Sequence, residues 1–426
     1  MPDLYRLTAT EASKLIAKRE ISSEELVKSC LERIRSRESA VQAWAHLDED
    51  LALKAARAAD SRSPQSPLHG IPFGVKDVID SADLPTEYGS EIFKGHRPAK
   101  DATCIQRMKN AGAVLMGKTV STEFATFRPG KTRNPHNPAH TPGGSSSGSA
   151  AAVGDAMIPL AFGNQTAGSH IRPGSFCGVC AFKPTWGPVD LTGIMPLEHS
   201  FDTLGYFARS FDDIATYYAI VRGSPPVEAQ DGLGRPPRVG FYRTLERKHA
   251  EPASTAAVEA AAKRLQSLGA IVEEMDLPLQ FADLIDVHPI ILNVGLTRSL
   301  KAVYDKDANR ISDRLRGMIE SGLSTPASTY RAAMDHADAC RRDINAAFGA
   351  YDVLLCPSAP GEAPHGLDAT GNPVFQLAWT LLHVPCASVP GAVGPKGLPV
   401  GVQLIGRQYD DNTVLAIANW FHQRKA

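Results

Sequence analysis

The apolar positions of the first sixty residues recur at helical spacing. Leu15 and Ile16 follow Thr8 and Glu11, while Leu26, Val27, Cys30, Leu31 and Ile34 follow Ser22 and Glu25. Each Ser/Thr-x-x-Glu pair is a capping box, in which hydroxyl and carboxylate satisfy free N–H groups of the first turn, so two amphipathic helices are predicted here. The run SRSPQSP, residues 61–67, then breaks the pattern. Residues 1–60 therefore read as an N-terminal helical arm packed on the main body.

Beyond the break the period changes. Residues 68–223 hold short apolar runs, IPFGVKDVI, GAVLMGKT, AMIPLAFG and GVCAFKP, separated by Gly and Pro, as strands alternating with short helices would be. Residues 253–268 read as an amphipathic helix ended by Gly269 with a strand at 271–273. Residues 327–348 read as another, ended by Gly349, with a strand at 352–356. This alternation predicts an α/β fold around a mixed sheet. The Pro/Gly-rich stretch 224–237 is the one plausible internal boundary, but the strands after it look too few for a separate core. The expectation is one domain over 1–426, with 68–223 as its centre and 238–426 as the remainder of the body.

Composition narrows the function classes. Of the 426 residues, 43% are hydrophobic, enough for a large core, and 45 Lys plus Arg balance 46 Asp plus Glu. With a net charge of -1 there is no basic field to attract nucleic acid or an anionic membrane, and neither is expected as a partner. No later segment approaches the roughly 18 apolar residues of a membrane span, and the start lacks the uninterrupted apolar core of a signal peptide, so a soluble, cytoplasmic protein is expected. Seven cysteines, odd in number and scattered, argue against a disulfide framework. Cys177 and Cys180 form a C-x-x-C without a second pair or nearby histidines, so buried thiols are expected rather than a metal site.

Two motifs mislead. Gly112 to Thr119 satisfies the phosphate-loop pattern G-x-x-x-x-G-K-T, yet its intervening residues are apolar and read as a buried strand, and residues 109–111 look like a helix end. Gly144 to Gly148 satisfies G-x-S-x-G, which would make Ser146 a nucleophile with His199, His365 or His383 as base. That elbow needs a hydrophobic strand before it, and residues 133–142 carry three prolines instead. Lys76 is a different kind of candidate. It is a charge inside the apolar run IPFGVKDVI, and a lysine kept neutral by burial can deprotonate a serine. The alternative, a surface lysine at a strand end paired with Asp77, stays open at this point.

Seven segments together resemble the amidase signature hydrolases over nearly the whole chain: GIPFGVKD, GAVLMGKTVSTEFA, NPHNPAHTPGGSSSGSAAAV, QTAGSHIRPGSFCG, FKPTWG, YDVLLCPS and GLPVGVQLIG. The resemblance implies a large mixed β-sheet covered by helices on both faces. It implies a Ser-cisSer-Lys triad that falls on Ser169 as nucleophile, Ser145 as bridging serine after a cis Gly144–Ser145 bond, and Lys76 as base. The backbone N–H groups of Thr166, Ala167, Gly168 and Ser169 would form the oxyanion hole, and an acyl-enzyme would follow. Because Lys76 must be neutral, activity is expected to fall on the acid side.

The segment QTAGSHIRP departs from the common pattern of that family. Ala167 replaces a glycine, and the arginine sits three positions after the nucleophile, as in the branch that contains malonamidase. There the corresponding arginine, here Arg172, binds a substrate carboxylate. A helix beginning at Ser169 would place Arg172 on the nucleophile's face, and the alternative is a structural ion pair. His170 is expected to point away and pack or line a wall. Phe124 and Phe127 are candidate pocket walls, and Phe127 and Gly144 are expected beside the substrate. The expected activity is hydrolysis of a small linear amide, carboxylate-bearing or a carbamate, to acid plus ammonia or amine. No cofactor and no metal is implied, and a homodimer is allowed. The alternatives are an esterase, a Ser146 α/β-hydrolase, or a glutaminase-type subunit of a tRNA-dependent amidotransferase, against which Gln165 and Ala167 argue.

Overall fold

The computed structural model describes residues 3–225 and 230–424; of the expected boundary 224–237, residues 226–229 lie outside the described residues. Both capping boxes form. Thr8 Oγ1 accepts from Glu11 N at 3.1 Å and Glu11 Oε2 from Thr8 N at 2.8 Å, opening the helix Ala9–Ala17; Ser22 and Glu25 repeat the exchange at the start of Ser23–Val41. The arm is tied to the body through the buried Asp213, whose carboxylate accepts from Ala9 N and Thr10 N. It is not wholly helical. Between Ser23–Val41 and the helix Glu49–Asp60 lies a strand, β1 (Trp44–Leu47), on the edge of the sheet.

Among the described residues ten further strands complete one sheet: β2 (Pro72–Lys76), β3 (Val114–Thr119), β4 (Leu160–Gln165), β5 (Cys180–Lys183), β6 (Thr203–Ala208), β7 (Arg238–Tyr242), β8 (Ile271–Met275), β9 (Val353–Pro357), β10 (Cys386–Val393) and β11 (Pro399–Ile405). Their order is β1-β3-β2-β4-β6-β5-β10-β11-β9-β7-β8, mixed as expected. β3, β2 and β4 run parallel, the centre from β4 to β9 is antiparallel, and β9, β7 and β8 run parallel again. Every residue of β2 through β6 is buried, which explains their near-continuous apolar runs. In the phosphate-loop lookalike, the residues from Val114 to Thr119 are the buried strand β3 rather than an exposed loop that could cradle a phosphate. Strands from both sides of the 224–237 stretch share this sheet.

Helices pack on the strands: Ser147–Gly154 on β4, Ile171–Cys177 on β10 and β11, Phe211–Arg222 on β6 and Asp411–Gln423 on β10. The helices at 253–268 and 327–348 appear as Pro252–Ser267 and Ala327–Ala347. Two helices, Asp313–Ser324 and Ala327–Ala347, pack on a third, Leu284–Asp307. Here one expectation needs correcting. Leu279–Asp307 is long and apolar enough to cross a membrane by length and composition, its most apolar 18-residue window having a mean hydropathy of 1.2, and 44% of that window is buried inside the protein. Its apolar residues are interleaved with polar ones, so a search for an uninterrupted run passes over it.

Candidate active site

β2 and β4 are parallel neighbours, with Val75 opposite Phe162, so their C-terminal ends place Lys76 beside Asn164. The third partner arrives from the loop before the helix Ser147–Gly154, where the Gly144–Ser145 peptide bond is cis. Lys76 Nζ donates to Ser145 Oγ and to Asn164 Oδ1, both at 2.6 Å, and the side chain is wholly buried. The surface-lysine alternative is thereby excluded. Asp77 lies beside Lys118 instead, at 3.8 Å. Burial pushes the Lys76 amine well below the ordinary lysine range, opposed only by the charge of Asp202.

The turn leaving β4 presents the other half of the site. Its carbonyls are engaged: Thr166 O accepts from His288 Nε2 at 2.9 Å, Ala167 O from Thr380 Oγ1 at 2.8 Å and Ser169 O from Ser146 N at 3.1 Å. Its N–H groups are not. Among the described residues, those of Thr166, Ala167, Gly168 and Ser169 donate to nothing. Buried amides are nearly always paired, so a run of four left free is a site for an incoming acceptor. A Cβ at Gly168 would fall 2.8 Å from Pro373 Cβ and 3.2 Å from Pro373 Cα, atoms that cannot swing aside, so glycine is required there by contact.

Ser169, 9% exposed, lies on the wall of a narrow cavity of ≈ 20 Å3, and its hydroxyl has no hydrogen-bond partner among the described residues. The Ser145 and Ser169 hydroxyls are therefore not bonded to each other. Thr166, Gly168, Arg172 and Phe127 line the same cavity, with Leu292, Leu296 and Met318 contributed by the helices Leu284–Asp307 and Asp313–Ser324.

The helix carrying Arg172 starts two residues later than expected. Ile171–Cys177 is capped at His170, because Gln165 Oε1 accepts from His170 N and Ile171 N, both at 3.0 Å. The three-residue offset from Ser169 thus does not run along a helix. Arg172 still reaches the site: Nη2 donates to Gly144 O at 2.7 Å and Thr370 Oγ1 at 3.1 Å, while Nε and Nη1 have no partner among the described residues. No carboxylate of the described residues pairs with it, so the structural ion pair is not formed. Burial, with the charge of Arg314, pulls its pKa down to about 9.

The remaining candidates separate. Phe127 lines the cavity under the Arg314 guanidinium, 4.2 Å from its ring centroid, whereas Phe124 turns into the core against Phe93. His170 packs: its ring lies 3.7 Å from that of Phe207, Nε2 donates to Tyr206 O at 3.0 Å, and burial drives its pKa down to about 3. Ser146 is fully buried against β4, its Oγ donating to Asn164 O and accepting from Asn164 N. His199, His365 and His383 bond to none of these serines. Cys177 and Cys180 are buried, and burial pushes the Cys177 thiol upward. Sequence reasoning missed Asn164, Thr380, His288 and Asp202, and left Gln165 without a role. The one signal was a polar pair, Asn164-Gln165, closing an otherwise apolar strand.

The profile of the family described as Amidase matches residues 25–415, and the chain belongs to that family; it is a hydrolase of amide C–N bonds. Among individual proteins it is similar to a glutamyl-tRNA(Gln) amidotransferase subunit from Chloroflexus aurantiacus, 33% identical over 99% of this chain and 97% of that one. Among solved structures it is similar to a protein described as an amidase, at TM-score 0.90 and 29% identity over 99% of this chain and 100% of that one. It also resembles a peptide amidase bound to the competitive inhibitor chymostatin, at TM-score 0.83 and 28% identity over 98% and 97%.

Proposed function

We propose that the chain hydrolyses a small linear amide bearing a carboxylate, as a malonamidase-like amidase, with Ser169 as nucleophile, Ser145 as relay and Lys76 as base. The observation that carries this reading is the 2.6 Å contact between Lys76 Nζ and Ser145 Oγ. A neutral amine there donates to Asn164 and accepts from Ser145, and among the described residues no carboxylate lies within ion-pair distance of Lys76 to hold it as ammonium. The Ser169 proton passes to Ser145 as Ser145 gives its own to Lys76, and Ser169 Oγ bonds the amide carbon. The developing oxyanion takes the free N–H groups of the turn, each donor contributing about 2.7–4 kcal/mol. The proton returns through Ser145 to the leaving nitrogen, the C–N bond breaks, and water repeats the sequence on the acyl ester. The link between Ser145 and Ser169 closes with substrate in place, as such contacts commonly tighten only in the Michaelis complex.

The two unpartnered donors of Arg172 support a carboxylate on the substrate, since a buried guanidinium without an anion is otherwise costly. A serine-directed phosphonate followed by peptide mapping tests the nucleophile: the adduct is expected on Ser169, and an adduct on Ser146 overturns the reading. Arg172→Ala should cost acidic amides far more than neutral ones; equal loss removes the carboxylate role. A second reading, an amidotransferase component that works with partner chains, is favoured by the 33% identity over nearly the whole chain. Hydrolysis of acidic amides, carbamates or esters by the isolated chain, at rates above its glutaminase rate, separates the two.

A further inference from the structure

The cavity that holds Ser169 is too small for a substrate. At ≈ 20 Å3 it has room for about one water, and an amide bearing a carboxylate does not fit. Its wall includes Phe127 from the segment 122–128, Met318 from the helix Asp313–Ser324, and Leu292 and Leu296 from the helix beneath. An amide therefore reaches Ser169 only after part of this wall moves.

The helix Asp313–Ser324 is the element least bound to the body. Of its 12 residues only Leu315 and Ile319 are buried. Its two ends are held unequally. At the C-terminal end a Cβ on Gly322 would fall 2.2 Å from Asn293 O, a backbone-to-backbone contact, and Asn293 Nδ2 donates to Ser321 Oγ at 3.2 Å. At the N-terminal end the catches are polar. The buried Glu123 carboxylate accepts from Ser312 N at 3.1 Å and from Ser312 Oγ, and the Arg314 guanidinium lies 4.2 Å from the centroid of the Phe127 ring.

Both catches belong to one strained segment. Between Glu123 and Phe127 the chain passes through Phe124 and Ala125 at φ 45° and 54°, the left-handed region that side-chain-bearing residues rarely adopt. Strain of this kind persists where surrounding contacts enforce it, and it gathers at clamps and switches. The same segment begins against the relay serine, with Thr122 N donating to Ser145 O at 3.3 Å.

We propose that the helix Asp313–Ser324 is a lid over Ser169, hinged where Gly322 meets Asn293 and latched by Glu123 and Arg314, and that its N-terminal end lifts to admit the amide. Glu123 and Arg314 are positioning residues, since neither touches the reacting atoms. Entry then follows the fraction of molecules whose latch is undone. Arg314 is exposed, and no carboxylate among the described residues pairs with it, so removing it weakens the latch without stranding a buried charge.

The inference rests on Ser169 as nucleophile, and its test reads the lid without using that serine. Leu292→Cys puts a thiol on the covered wall of a protein whose seven native cysteines are buried. Alkylation of that thiol by iodoacetamide should run about two- to fivefold faster when Arg314→Ala is added, the ratio set by one cation–π contact. Arg314→Lys, which keeps a cation over the ring, should stay near the starting rate. An unchanged rate in Arg314→Ala overturns the lid. So does equal acceleration at Cys356 on β9, which would mean that the whole molecule opens. If Leu292→Cys does not fold, the rate of phosphonate labelling at Ser169, wild type against Arg314→Ala, carries the same comparison. A faster thiol with no adduct on Ser169 sinks the catalytic reading and leaves the lid; a labelled Ser169 with unmoved rates does the reverse.

Discussion

Two lysines on neighbouring parallel strands are equally buried and do different things. Lys76 ends β2, and Lys118 lies on β3 opposite Val75; both side chains are inaccessible to solvent. Lys118 Nζ donates to Ile79 O and, at 2.7 Å, to Thr86 Oγ1, with Asp77 Oδ1 at 3.8 Å. Asp77 in turn accepts from Glu87 N and Gly89 N. Lys118 is therefore a staple that holds the chain following β2 to β3, and Asp77 and Asp80 limit the fall of its pKa to about 8. Lys76 has a hydroxyl and an amide oxygen in place of a carbonyl and a carboxylate. Burial alone does not make a lysine a base. Both lysines meet a hydroxyl, and what distinguishes Lys76 is that among the described residues no carboxylate lies within ion-pair distance to fix the ammonium, whereas Lys118 has Asp77 at 3.8 Å.

The largest effect that would break this comparison is on activity. Lys76→Met should lower kcat by roughly 10^4-fold or more, as removal of a catalytic base does, while the protein stays folded by circular dichroism. Near-normal turnover in this variant would mean that the two lysines differ only in neighbours. Lys118→Met should do the reverse. It leaves Asp77 buried without its cation, a loss of about 3–5 kcal/mol in urea unfolding, with kcat of the folded fraction within a few-fold of wild type.

The two lysines should also separate by pH. Lys118 has a folded pKa of about 8 against the model-peptide value of 10.5, so the unfolded chain takes up the proton first as pH falls. The cost of burying its charge is absent above 10.5, where the amine is neutral in both states, and grows as pH falls until it is complete below about 8. The stability difference between wild type and Lys118→Met should vary over that window, measured by urea unfolding at several pH values. A difference constant with pH would show that the staple does not titrate. Lys76 should appear instead in the acid limb of activity, below the ordinary lysine range, because only its neutral form accepts a proton.

Much of this arrangement is legible in the sequence, and the illegible parts share a cause. β2, β3 and β4 announce themselves as apolar runs because both of their faces are covered, and the glycine-serine block marks where Ser145 and Ser169 lie. β1 is four residues between two helices with strong caps, too short for its own period to show. The late start of the helix at Ile171 is hidden for another reason. Its free N–H groups are taken by the side chain of Gln165, five and six residues back, rather than by a hydroxyl at the cap position. Asn164 and Asp202 act on Lys76 from β4 and from the loop before β6, at a sequence separation of 88 residues in the first case, where no local pattern connects them. The helical spacing that would put Arg172 on the face of Ser169 does not hold; the side chain reaches the wall of the Ser169 cavity held by Gly144 O and Thr370 instead.

The smallest expected effect concerns how the free amides stay free. Lys118 holds its segment with a charge, whereas Gln165 holds the turn after β4 with neutral contacts: Oε1 on two backbone N–H groups and Nε2 on Thr380 Oγ1 at 2.9 Å, while that hydroxyl donates to Ala167 O. Gln165 thus engages both flanks of residues 166–169 and leaves their own N–H groups unengaged. Gln165→Ala uncaps His170 N and Ile171 N, at about 1–3 kcal/mol of stability for buried donors left unpaired. The turn then gains freedom to close its amides on its own carbonyls. A fall in kcat of about tenfold, or 1.4 kcal/mol of transition-state stabilisation, is expected, with KM little changed and Ser169 still labelled by phosphonate. A variant that loses stability but keeps full kcat would show that the turn holds its shape through His288 and Thr380 alone.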